Sequence, residues 1–132
     1  MRMKPFFLII IIFELLSCAK DEVKSSKLIG VVNITSVTMP DTAELLQPFV
    51  IKARAQADNG CWSNLFFNLE RMTDPNSYSL TAFGIFEQVS LCPDMIVTAD
   101  SSISLKLNRK GIYYIYVVRS IDLIDVDSVL VK

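Results

Sequence analysis

Phe49 to Ala57 reads FVIKARAQA. In an extended chain successive side chains point to opposite faces, so Phe49, Ile51, Ala53, Ala55 and Ala57 share one face while Lys52, Arg54 and Gln56 share the other. Apolar and polar residues thus alternate with a period of two, the mark of a strand buried on one side only. Runs of the same kind lie to either side: Ile29 to Thr38, Trp62 to Met72, Tyr78 to Phe86, Ser102 to Leu107, Ile112 to Arg119 and Asp127 to Val131. Turn chemistry separates them. Met39-Pro40-Asp41 breaks the first run from the second, and Asp58-Asn59-Gly60 supplies residues that tolerate positive φ. Asp74-Pro75-Asn76 is a turn tripeptide, and Asn108-Arg109-Lys110-Gly111 makes a hairpin-like corner. Thr42 to Leu46 has room for one short helical turn, but no long 3.6-residue period occurs. About seven short strands without crossover helices predict an all-β fold.

The antiparallel β-sandwich of immunoglobulin-like type suits this pattern best, with a small barrel as the other way to close the strands. Gly111-Ile112-Tyr113, ahead of the alternating Tyr113, Ile115 and Val117, resembles the entry to a late strand in many immunoglobulin-like domains. There a tyrosine hydroxyl pins the preceding corner. The chain departs from antibody domains in having no cysteine two positions after Tyr113.

At 132 residues the chain has room for one domain of ordinary size. Its apolar fraction of 52% comes partly from strand residues and partly from an N-terminal leader. In that leader, Arg2 and Lys4 precede the apolar run Phe6 to Phe13, and the small residue Ser17 stands just before Cys18. Charged, apolar and small segments in that order are the layout of a secretory signal. Glu14 interrupts the run well before the ~20 apolar residues that a membrane span needs.

Leu15-Leu16-Ser17-Cys18 resembles the lipobox of bacterial lipoproteins. That resemblance implies a leader over residues 1–17, removed by cleavage, and a lipidated Cys18 as the new first residue. A thiol supplies the nucleophile for thioether attachment of diacylglycerol, and each acyl methylene buried in the bilayer contributes about 0.8 kcal/mol, so two or three chains anchor stably. Cys18-Ala19-Lys20-Asp21-Glu22 is similar to the Cys-x-Lys-acid-acid signal that sends lipoproteins of the Bacteroidota to the leaflet facing the medium. The resemblance implies an outer-membrane protein on the cell exterior, with the periplasmic face as the alternative. Residues 18–27 then form the lipidated cysteine and a flexible tether rich in charge and serine, and residues 28–132 form the β-sandwich domain.

Composition also excludes chemistry. The chain has 13 basic and 14 acidic residues; the leader takes Arg2, Lys4 and Glu14, so the mature chain carries −2. A nucleic-acid partner, which needs a basic stripe, is not expected. Histidine is absent, with a count of 0, which rules out Ser-His-Asp and Cys-His centres, His-ligated zinc and a histidine pH switch. Two carboxylates can hydrolyse a glycoside without histidine, but nothing pairs any two of Asp41, Glu44, Glu70, Glu87 and Asp94. No enzyme activity and no cofactor are expected. Asp122, Asp125 and Asp127 raise the thought of a calcium site, yet their spacing is not that of an EF-hand and no glycine permits the tight turn. Charges that protect an edge strand explain them better, and no metal is expected.

Once Cys18 is taken by lipid, Cys61 and Cys92 form an even pair in an exported chain, and a disulfide is the economical reading. A reactive thiol at either position would lack a histidine or basic cluster to lower its pKa.

The candidate binding residues come from the strand after Gly60. If Cys61, Ser63, Leu65, Phe67 and Leu69 face the core, Trp62, Asn64, Phe66, Asn68 and Glu70 face outward, and the same rule leaves Tyr114 and Tyr116 outside on their own strand. Were the two strands neighbours, Trp62, Phe66, Tyr114 and Tyr116 would form an aromatic platform flanked by the Asn64 and Asn68 amides, suited to sugar rings. A bulge or covering loop would instead bury Trp62 and Phe66 as core. The expectation is a membrane-anchored, non-catalytic binding or accessory module for a glycan or an envelope protein. The alternatives are a hydrolase inhibitor using loops such as Asp74 to Ser77 and Val89 to Pro93, and a structural subunit of an envelope assembly.

Overall fold

The computed structural model describes residues 25–132. The expected leader, Cys18 and the expected tether up to residue 24 lie outside the described residues. Within them the chain forms eight strands: β1 (Lys27–Thr38), β2 (Thr42–Ala43), β3 (Pro48–Ala57), β4 (Trp62–Arg71), β5 (Ser77–Glu87), β6 (Val97–Lys106), β7 (Gly111–Ser120) and β8 (Leu123–Val131). The domain is all-β and sandwich-like, as the alternation predicts.

Long β1 joins the two layers. Lys27 to Val32 pairs antiparallel with β5 in the first layer, whereas Asn33 to Thr38 pairs antiparallel with β3 in the second. A register shift between Ile34 and Ser36 bends the strand on the β3 side. β4, β5, β7, β8 and the short β2 complete the first layer, and β3 with β6 completes the second. Because β1 belongs to both, one hydrogen-bonded path runs around the molecule and the sheet is curled.

Not every pair is antiparallel, contrary to the expectation. β5 and β7 pair in parallel, and so do β2 and β8. The first arises from connectivity: the chain leaves the first layer after β5, returns along β6 in the second, and re-enters the first layer as β7 in the direction of β5. The short helical turn expected at Thr42 to Leu46 is replaced by β2 and a turn. Ala43 and Leu45 pack against the core, and Leu45 N–H donates to the Lys132 carbonyl at 3.0 Å. Pairing with the C-terminal strand thus outweighs a helix of one turn, which has too few bonds to offset its nucleation cost.

The core is built from the inward faces. Ile51, Ala53, Ala55 and Ala57 of β3 meet Val32 and Ile34 of β1, Leu80 and Ala82 of β5, Tyr113, Ile115 and Val117 of β7, and Val129 and Val131 of β8. Three alanines on β3 leave volume that larger side chains of the facing layer take up, among them Leu65, Phe67 and Leu69. The Tyr113 hydroxyl donates to the Arg109 carbonyl at 3.1 Å, pinning the corner before β7. Gly111 opens that strand at φ +135°, a backbone angle that suits glycine.

Cys61 and Cys92 are joined in a disulfide with a Cα–Cα distance of 5.1 Å. It ties the 88–96 connection to the start of β4, where Gly60 N–H also donates to the Pro93 carbonyl at 2.8 Å.

Candidate functional site

Where each candidate side chain points is decided by β4. Its pairing with β5 slips between Ser63 and Phe66, and Asn64, at φ 47°, takes the left-handed conformation that asparagine tolerates better than most residues. Residues on the two sides of such a bulge obey different alternations. Trp62, ahead of it, stands beside Phe86 on the inward face, ring centroids 5.1 Å apart. Leu65, Phe67 and Leu69 face inward beyond it, and Phe66, Asn68 and Glu70 face out.

Trp62 lies in a slot that two glycines make possible. Gly30 of β1 and Gly84 of β5 are cross-strand partners on the inward face. A Cβ on Gly30 would approach the indole to 2.8 Å, and one on Gly84 would meet Leu65 at 2.6 Å and the indole at 3.0 Å. The ring therefore needs bare backbone beneath it. Trp62 is half-buried structural packing, and the outward placement expected from simple alternation is corrected by the bulge.

The remaining platform residues do share the outer face of the first layer, but they do not form one cluster, because β5 stands between β4 and β7. Phe66 stacks on Phe83 of β5, centroids 5.6 Å apart, and Val31 of β1 completes that row. The adjoining row is Ser63, Ile85 and Ile29. Tyr116 belongs to the row Glu70, Ser79, Tyr116 and Val126, and Tyr114 lies opposite Ser77 and Ser128. Threonine and serine of β5 thus divide Phe66 from the tyrosines. The Asn68 amide donates to Glu70 at 2.7 Å, and Asn64 is spent on the bulge.

What replaces the platform is an apolar strip of Ile29, Val31, Phe66, Phe83 and Ile85 in two adjoining rows, with Ile124 and Val126 separately exposed on the β7–β8 hairpin. Sequence reasoning missed the strip because the runs Ile29 to Thr38 and Tyr78 to Phe86 were assigned as strands without a face for Val31, Phe83 or Ile85. Gly30 and Gly84 face inward beneath the indole, and strand alternation turns their neighbours Ile29, Val31, Phe83 and Ile85 to the outer face. The outer face of the second layer is polar by contrast. Arg54 makes two bonds to the Asp100 carboxylate, 2.7 and 2.9 Å, beside a shallow open groove of about 300 Å³ that Ser36, Thr38, Lys52 and Ser102 help to line. This contact holds the Asp100 carboxyl below its usual range and raises the Arg54 guanidinium.

The carboxylates are dispersed. Glu87 accepts from the Ser25 hydroxyl at 2.7 Å and faces Lys27 at 3.6 Å; the hydroxyl first, then the ammonium, hold it below its usual range. Asp125 pairs with Arg119 at 2.7 Å, and Asp127 accepts the Ser128 N–H at 2.9 Å. Among the described residues no three carboxylates or thiols come together as a metal site. The two loops considered for inhibition, Asp74 to Ser77 and Val89 to Pro93, lie at opposite ends of the sandwich and cannot enter one cleft together. Compared with protein-family models, curated proteins and solved structures, the chain finds no match.

Proposed function

We propose that the chain is an outer-membrane lipoprotein, held by acyl chains on Cys18 and facing the cell exterior, that acts as a non-catalytic binding or accessory module. Its contact surface is the outer face of the first layer, and its partner is an envelope protein. The observation that carries this reading is the contrast between the faces. One presents Phe66, Phe83, Val31, Ile85 and the 69% exposed Ile29 as a continuous strip, while the other presents Lys52, Arg54, Asp100 and serines. Clustered apolar surface of that kind favours a protein partner, whose own apolar side chains it would cover. A glycan is supported less, because the indole that would stack on a sugar lies on the inward face, over the backbone of Gly30 and Gly84. Flat surfaces with little concavity also suit macromolecular contact more than capture of a small molecule.

Site-specific photocrosslinking in intact cells tests it. A crosslinking amino acid at Phe66 is expected to give one defined adduct of constant mass, and the same group at Lys52 none. Equal, diffuse adducts from both positions would remove the proposal, and retention on a glycan array abolished by Phe66→Ala would move it to sugar binding. The exterior address is checked separately, by whether protease added to unbroken cells degrades the protein.

A further inference from the structure

Strand directions define two ends of the sandwich. β1 and β4 start at one end, β3 and β5 finish there, β6 starts there, and parallel pairing with β5 carries β7 toward it. This is the end at which residue 25 enters the domain. Its connections are 58–61, 88–96 and 121–122. The large apolar side chains of the described residues that are more than 60% exposed are Ile121 (85%), Leu91 (83%), Ile29 (69%), Leu28 (62%) and Ile96 (61%), and every one of them lies at this end. At the other end the most exposed are Leu46 and Ile112, at 56% and 49%.

We infer that this end docks on the lipid bilayer, with Leu28, Leu91, Ile96 and Ile121 entering the interface between headgroups and acyl chains. The inference rests on the lipid anchor proposed at Cys18. From Cys18 to Ser25 the chain has seven peptide steps, which span about 25 Å at full extension. The end that carries the bare apolar side chains is therefore the one the anchor keeps beside the membrane, at high effective concentration. The chemistry also selects lipid over a protein partner. The side chains stand on the start of a strand and on separate connections, interspersed with Asp58, Asp94 and Asp122. A protein would need a matching pocket for each, whereas a fluid interface accepts each one singly. Those aspartates and the Lys27–Glu87 pair leave no free basic cluster among the described residues at this end. Docking is accordingly apolar and needs no anionic lipid.

The test uses the full chain, produced with its leader in an acylating bacterium and reconstituted in phosphatidylcholine vesicles. With Cys18 acylated and Cys61 bonded to Cys92, Leu91→Cys, Ile121→Cys and, at the opposite end, Asn108→Cys each add a single free thiol for a nitroxide label. Labels at 91 and 121 should lose about tenfold of their accessibility to a charged, water-soluble nickel complex relative to the label at 108, because charge is excluded from hydrocarbon. Adding anionic lipid should not increase this protection, because the aspartates at this end are repelled by an anionic surface. Equal accessibility at all three positions, with acylation of Cys18 verified by mass, overturns docking and leaves the anchor standing. An unacylated Cys18 overturns both, and the mass alone reveals it. Protection at 91 and 121 that persists in detergent, accompanied by dipolar broadening between labels, would identify a second copy as the occupant and likewise overturn docking on lipid.

Discussion

A single side chain, Trp62, carries much of what distinguishes this domain from a generic sandwich. Its indole fits only because positions 30 and 84 have no Cβ, so the three residues act as one unit. Trp62→Ala removes a large apolar body and leaves a partly open hollow, with an expected cost of about 3 kcal/mol. Gly30→Ala places a methyl 2.8 Å from the indole and against nothing else, and is expected to cost about 1 to 3 kcal/mol. Combined, the two should cost clearly less than their sum, because the methyl then occupies space that the ring has left. Urea denaturation of the two single variants and the double variant measures this; strict additivity would contradict the slot. The orientation of Trp62 was not legible from alternation, since a slip in pairing reverses every side chain beyond it. What was legible, in hindsight of the fold, is that a glycine inside a strand marks a close approach. The Tyr113 corner, by contrast, could be read from three residues, because a hydroxyl reaching back over one turn is a local matter.

At the scale of elements, the alternating strands were the easiest to read and their partners the hardest. β3 alternates over nine residues, and its inward face is the buried one throughout. The end of β8 was read, but Leu123 to Val126 was not, because that stretch is exposed on both faces and the aspartates in and beside it, Asp122, Asp125 and Asp127, were read as a charge cluster. Its inward-parity positions hold Asp125 and Asp127, and its outer edge pairs with β2 only at Leu130 and Val131. Charges there oppose pairing with another chain's strand. Asp127→Val is therefore expected to leave the melting temperature within a few degrees of the parent while raising light scattering on heating; unchanged scattering would speak against this role. The disulfide belongs to the same scale. With its cysteines 31 positions apart in the sequence, loss of the cross-link should cost about 3 to 4 kcal/mol in the chain-entropy model. Cys61→Ser with Cys92→Ser should then lower the melting temperature by more than about 10 °C. A much smaller drop would mean that the 88–96 connection holds to β4 without it.

For the molecule as a whole, the response to pH follows from which charges the fold has engaged. The chain contains 0 histidines, so no side chain has an ordinary pKa between 5 and 8, and stability should be level across that range. Below it, two exposed carboxylates decide the direction. Glu87 is held low chiefly by the Ser25 hydroxyl, and Asp100 by its hydrogen bonds with Arg54. A depressed carboxyl binds fewer protons folded than unfolded, so its stabilising effect is present above the unfolded pKa, roughly 4, and is lost as pH falls through the lower folded value. The raised Arg54 has the opposite sign, with stability lost only as pH climbs above the guanidinium range, beyond any working condition. All three groups lie at the surface, where water and salt screen them, so each effect is small. The melting temperature should stay flat from pH 8 to about 5 and decline below about 4. Glu87→Gln and Asp100→Asn should each make that decline shallower, and added salt should shrink the share due to Asp100, whose partner is a full charge, more than that due to Glu87, whose first partner is a hydroxyl. Calorimetry over a pH series at two salt concentrations separates them. A steep loss between pH 6 and 5, where neither group titrates, would show that the fold depends on a charge other than those of Glu87 and Asp100.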